Sequence, residues 1–88
     1  MVKRIVFSSH AEEKFDILWR HGVRLTKEQV EDTVRKPQKV GPAFKGRKVA
    51  QKRLDTEHLI RVIYEEEDDI INIVTFYPAR RDRYEGQL

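Results

Sequence analysis

The chain has 88 residues, enough for one domain and too few for two, so residues 1-88 are read as a single domain. Apolar residues make up 39% and charged residues 38%, which points to a small core under a heavily charged surface, and the formal net charge of +3 is only mildly basic. The lack of cysteine excludes a disulfide scaffold, a thiol nucleophile and a Cys-ligated zinc site, and it fits a reducing, cytoplasmic setting.

The opening MVKRIVFSSH holds too short an apolar run for a signal peptide. No stretch nears the roughly 18 apolar residues of a membrane span, so no membrane partner is expected. Lys3 to Phe7 reads as a first strand. Ser9-His10-Ala11-Glu12 then reads as a capping box that opens a helix, with Ser9 as the cap. Ala11, Phe15, Leu18 and Gly22 fall on one stripe, with Trp19 beside it, and Gly22 stops the helix. Thr26-Lys27-Glu28-Gln29 is a second capping box, and Leu25 and Val30 are spaced as a hydrophobic staple. Val30 and Val34 face inward, and Pro37 ends the helix by restricting Lys36.

After Pro37 the chain reads as sheet. Lys48 to Leu54, His58 to Tyr64 and Ile70 to Tyr77 are strands, and Lys39 to Phe44 is a candidate short edge strand, weakened by Gly41 and Pro42, that is not counted in the expected order. The acidic run Glu65 to Asp69 makes a hairpin turn, and Pro78 closes the last strand. The expected fold class is α+β, in the order β-α-α-β-β-β, with the two N-terminal helices packed on one face of a mostly antiparallel sheet.

A two- or four-residue hairpin turn puts Ile60, Val62 and Tyr64 on one face with Ile71, Ile73 and Thr75, where the helices pack. The other face then carries Leu59, Arg61 and Ile63 with Asn72, Val74 and Phe76. Arg61, the one charge inside its strand and next to Asn72, is either an anion site on an open sheet face or a snorkelling arginine with a structural partner. The segment from Arg35 to Arg53 holds Lys39, Lys45, Arg47, Lys48 and Lys52 and no acid, so it forms either a grip for a polyanion or an ordinary solvated surface. The tail Tyr77 to Tyr84 interleaves aromatics with Arg80, Arg81 and Arg83, a composition suited to phosphate and base contacts or simply to a soluble terminus. His10 at a helix start is expected to be neutral, which suits a base or a structural hydrogen bond. His21 complements the far end of that helix. His10 and Glu13 alone do not make a metal site, and no phosphate-binding glycine loop is present, so no cofactor is expected.

Taken in order, Ser9-His10-Ala11, Arg20-His21-Gly22-Val23, Thr26-Lys27-Glu28-Gln29-Val30, Lys36-Pro37, Leu59 to Tyr64 and Ile73 to Tyr77 resemble a family of short uncharacterised domains grouped within the RelE/ParE-like toxin superfamily. The resemblance implies a RelE-like fold and a metal-independent endoribonuclease of a type II toxin–antitoxin system, acting on mRNA, free or on the ribosome, and paired with an antitoxin-like protein. By position, it implies a catalytic role for Arg61 in its strand and for Arg83 or Tyr84 at the C-terminus. Such cleavage needs a base for the 2′-OH, cations for the phosphorane and an acid for the leaving oxygen. Arginine is a poor base, so His10 or Tyr84 is assigned the proton transfer. Lys48, Lys52, Arg53, Arg80 and Arg81 are assigned to nucleic-acid binding. The net charge is low for a ribosome-dependent toxin and no histidine follows the last strand, so the alternative is a non-catalytic binding module for an antitoxin-like protein or nucleic acid.

Overall fold

The computed structural model describes residues 3–84, with side chains through Arg83. Its elements are β1 (Arg4–Phe7), α1 (Ser9–Arg20), α2 (Lys27–Arg35), β2 (Lys39–Pro42), a 3-10 turn at Phe44–Gly46, β3 (Lys48–Arg53), β4 (His58–Glu66), β5 (Ile70–Arg80) and α3 (Arg81–Tyr84). The five strands form one sheet in the order β1-β5-β4-β3-β2, with only the β1–β5 pair parallel. The class is therefore α+β, with one strand and one short helix more than the expected order. Among the described residues no helix is long and apolar enough to cross a membrane.

Helix ends follow local chemistry, with one correction. The cap of α1 is Ser8, not Ser9: its Oγ accepts from the Ala11 N–H at 3.1 Å and donates to the Val74 carbonyl at 2.9 Å. Ser8 wins over its neighbour because it also bonds to the sheet. Glu12 pairs instead with Lys27 on the next helix, at 2.9 Å. At the other end Gly22 has φ +83°, and Gly22 and Val23 donate to the carbonyls of Trp19 and Leu18. That is a Schellman stop, which a left-handed glycine makes accessible. Thr26 and Gln29 form a reciprocal capping box on α2.

The core gathers Ala11, Val30 and Val34 from the helices with Ala50, Ile60, Val62, Tyr64, Ile71, Ile73 and Phe76 from the sheet. Phe76 is fully buried and its ring lies 4.5 Å from that of Phe15. The expected register placed Phe76 outside and Thr75 inside, and the structure reverses both. Tyr64 faces Ile73 but Ile63 faces Thr75, so Val74 is an extra residue in β5. This bulge exchanges the two faces of β5 beyond it.

Both sheet prolines sit where a missing N–H costs no ladder bond. Pro78 does not close β5, which runs on to Arg80. Arg81 donates to the Glu57 carbonyl, so every second residue back, Ala79 and Tyr77 included, points its amide at β4. The nitrogen of Pro78 therefore points away from β4, beyond the end of β1. By the same alternation, Ala43 donating to Arg47 turns the nitrogen of Pro42 away from β3, outward at the free edge of β2.

Candidate functional site

The sheet face turned away from α1 and α2 carries a polar row that crosses four strands. Lys39 on β2 faces Gln51 on β3, Gln51 faces Arg61 on β4, and Arg61 faces Tyr77 on β5. At about 4.8 Å per strand the row is about 14 Å long. Arg61 is its centre: one terminal nitrogen donates to Gln51 Oε1 at 2.7 Å and Nε donates to the Tyr77 hydroxyl at 3.0 Å. Apolar neighbours on the same face, Val49, Leu59 and Ile63, are buried, and Gln51 itself is only 3% exposed. The guanidinium is thus oriented from both sides in a half-buried setting, where a charge-assisted hydrogen bond is stronger than at an open surface.

Arg53, one row further on, faces Leu59 on the same side. Its amide is held by Gln38 Oε1 at 2.7 Å. A cavity of about 240 Å³ opens between these rows, lined by Gln38, Lys39, Gln51, Arg53 and Leu59. Among the described residues its rim carries two cations, Lys39 and Arg53, and no acid. At the other end of this face Arg47 stacks on Phe44 and its Nε lies 3.7 Å from Glu65.

The remaining site residues expected from the sequence are dispersed. His10 is exposed on the first turn of α1, on the helix side of the sheet, and does not meet Arg61. Lys52 and Lys48 also project to the helix side, because they alternate with Gln51 and Val49. There Lys52 pairs with Asp32 of α2 and Lys48 with Glu66 at 2.6 Å. These pairs lower the carboxyl pKa of Asp32 and of Glu66, which Lys3 also contacts, and raise that of Lys48. Arg80 is exposed and pairs with Asp82 at 3.3 Å. Arg81 is a brace for the β3–β4 turn, donating to the Thr56 carbonyl at 2.9 Å. Arg83 is exposed on α3, and the side chain of Tyr84 lies outside the described residues. His21 bonds the Ile17 carbonyl at 2.9 Å, as its place at the helix end implies.

Asn72 does not neighbour Arg61: it faces Glu65 near the hairpin tip. Among the described residues Arg61 is bonded to Gln51 and Tyr77. Sequence reasoning missed Gln51, although a lone carboxamide between Ala50 and the Lys52 position of an alternating strand was the available signal. It placed Tyr77 only within an aromatic and cationic tail, because the bulge that turns this residue toward Arg61 has no mark in the sequence. No protein-family model, curated protein or solved structure matches the chain.

Proposed function

We infer that this is a RelE-like domain that binds RNA, as an anionic single strand, on the sheet face opposite the helices. The observation that carries this reading is the cross-strand row of Lys39, Gln51, Arg61 and Tyr77, with Arg53 beside it. Two arginines and a lysine on one face supply phosphate contacts, and a tyrosine ring at the end of the row supplies a stacking surface. The acids of the hairpin tip, Glu65 to Asp69, lie at one end of the sheet and keep a polyanion off that end.

A second reading, metal-independent cleavage on the same face, is favoured by one observation: the Tyr77 hydroxyl is held by Arg61 at 3.0 Å. In that reaction Arg61 would stabilise the phosphorane and Tyr77 would protonate the leaving 5′ oxygen. No described side chain beside Arg61 supplies the base, since His10 is across the sheet, and binding without cleavage therefore ranks first.

Fluorescence anisotropy with labelled single-stranded RNA tests the reading. Lys39→Ala and Arg61→Ala should each weaken binding and reduce the log–log salt slope by about 0.7 for each phosphate that is no longer neutralised. No binding at low salt, or affinity indifferent to both substitutions, would sink it. Gel analysis of the same RNA, with and without ribosomes, separates the two readings. Cleavage that Tyr77→Phe abolishes establishes the second.

A further inference from the structure

We propose that two copies of this chain pair antiparallel along β1, joining their sheets into one. The sheet has two edges, and they differ. At β2 the alternation set by Ala43 and Arg47 turns Val40 and Pro42 outward, and Pro42 has no N–H, so that edge offers the single amide of Val40. At β1 the bonds from Arg4 to the Asp69 carbonyl and from Ser8 to the Ile73 carbonyl, 2.9 and 3.0 Å, point even-numbered amides at β5. Lys3, Ile5 and Phe7 therefore turn their N–H and C=O groups outward. Among the described residues no strand pairs with that side, and Arg4–Phe7 contains neither proline nor glycine to blunt it.

The charge pattern of β1 selects a second copy as the occupant. Lys3 is engaged by Glu66 at 3.0 Å and by the Glu67 carbonyl, which leaves Arg4 as the only exposed cation of a strand that otherwise reads Ile5, Val6, Phe7. That is too little charge to recruit an acidic segment. An antiparallel copy centred on Ile5 sets Ile5 against its own equivalent as a hydrogen-bonded pair, with Lys3 against Phe7 on either side. Arg4 then lies opposite the partner's Val6, so like charges do not meet. Val6 and Arg4 share the face of Arg61, because Val6 faces Asn72 and Asn72 faces Glu65. The twofold axis is perpendicular to the sheet, and both Arg61 rows come to the same side. Across the strands the two Arg61 residues are five spacings, about 24 Å, apart, and each lies about five residues along the strand from the axis, in opposite directions, so they are about 40 Å apart. One RNA strand reaching both rows gains avidity, a consequence that rests on the RNA-binding reading, whereas the pairing does not.

Sedimentation equilibrium of the full chain, without RNA, tests the pairing. The edge is short, so the wild type should dimerise with a micromolar or weaker constant. Val6→Arg puts two arginines opposite Arg4 residues in close, non-hydrogen-bonded pairs and should weaken dimerisation about tenfold. Adding Arg4→Glu to Val6→Arg restores opposite charges and should restore the dimer. Ile5→Pro removes an outward N–H while sparing the bonds to β5, and should leave a folded monomer by circular dichroism. If Ile5→Pro does not fold, the charge pair alone decides. A wild type that stays monomeric at millimolar concentration overturns the proposal. So does a dimer that Val6→Arg leaves unchanged, or one that the double variant fails to restore.

Discussion

Arg61 and Tyr77 stand directly opposite each other on β4 and β5, and the arginine Nε donates to the tyrosine hydroxyl at 3.0 Å. The same guanidinium satisfies Gln51 Oε1, a buried acceptor, so it is both part of the candidate site and part of the packing. Arg61→Ala should therefore cost about 1–3 kcal/mol, the penalty for a buried polar group left without its partner. In a domain this small each kcal/mol lowers the melting point by roughly 4–8 °C. Gln51→Leu in the Arg61→Ala background should recover part of that loss. Thermal melts that show Arg61→Ala as stable as the wild type would contradict the role given to Gln51.

The bulge at Val74 makes a paired prediction. Phe76→Ala should cost about 3–5 kcal/mol, because the ring is fully buried against Phe15. Thr75→Ala, on the opposite face, should cost less than about 1 kcal/mol. Urea denaturation of the two variants reads this directly. A regular hairpin would put Thr75 inside and Phe76 outside, and would reverse the order.

Acid should weaken the fold through three carboxyls. Glu66 is held below its ordinary pKa by hydrogen bonds from Lys48 and then Lys3, Asp32 by Lys52, and Asp55 by the backbone amides of Glu57 and His58. A lowered folded-state pKa means stability that is fully present above the unfolded value, about 3.9–4.3, and lost as pH falls through the folded value. Stability followed by chemical denaturation should be flat down to about pH 5 and decline below it. Salt should shrink the part due to Glu66 and Asp32, which are held by lysine ammonium groups, more than that due to Asp55, which is held chiefly by backbone amides. A Glu66→Gln variant with an unchanged acid limb would remove Glu66 from this account.

The alkaline side has its own pair. Burial raises the Tyr64 phenol above its ordinary pKa, and the hydrogen bond to Glu66 raises the Lys48 ammonium. Each contributes stability that is fully present below its unfolded pKa and is lost as pH rises through the folded one. Absorbance titration of the tyrosines should show Tyr64 ionising late, together with unfolding. Tyr64→Phe should remove that step and flatten the alkaline limb of the stability curve. A Tyr64 that ionises at its ordinary pKa with the fold intact would refute its burial.

Local chemistry determined much of this protein in advance. The Thr26 capping box, the glycine stop at Gly22, the end of α2 before Pro37 and the three main strands depend on residues close in sequence, so they are legible without any knowledge of packing. Arg61 stands out for the same reason, as a lone charge in an apolar strand. What only the tertiary structure decided is which residues stand beside it. One extra residue at Val74 exchanges the faces of β5, and that brings Tyr77 rather than Phe76 opposite Arg61 and sends Phe76 into the core, while the hairpin register leaves Asn72 at Glu65. Alternation along β3 likewise separates Gln51 and Arg53 from Lys48 and Lys52, which lie within the same basic run but on the other side of the sheet. A strand's side chains alternate with a period of two, so a single-residue shift reassigns every position beyond it. The ladder partners that set this register come from distant parts of the chain.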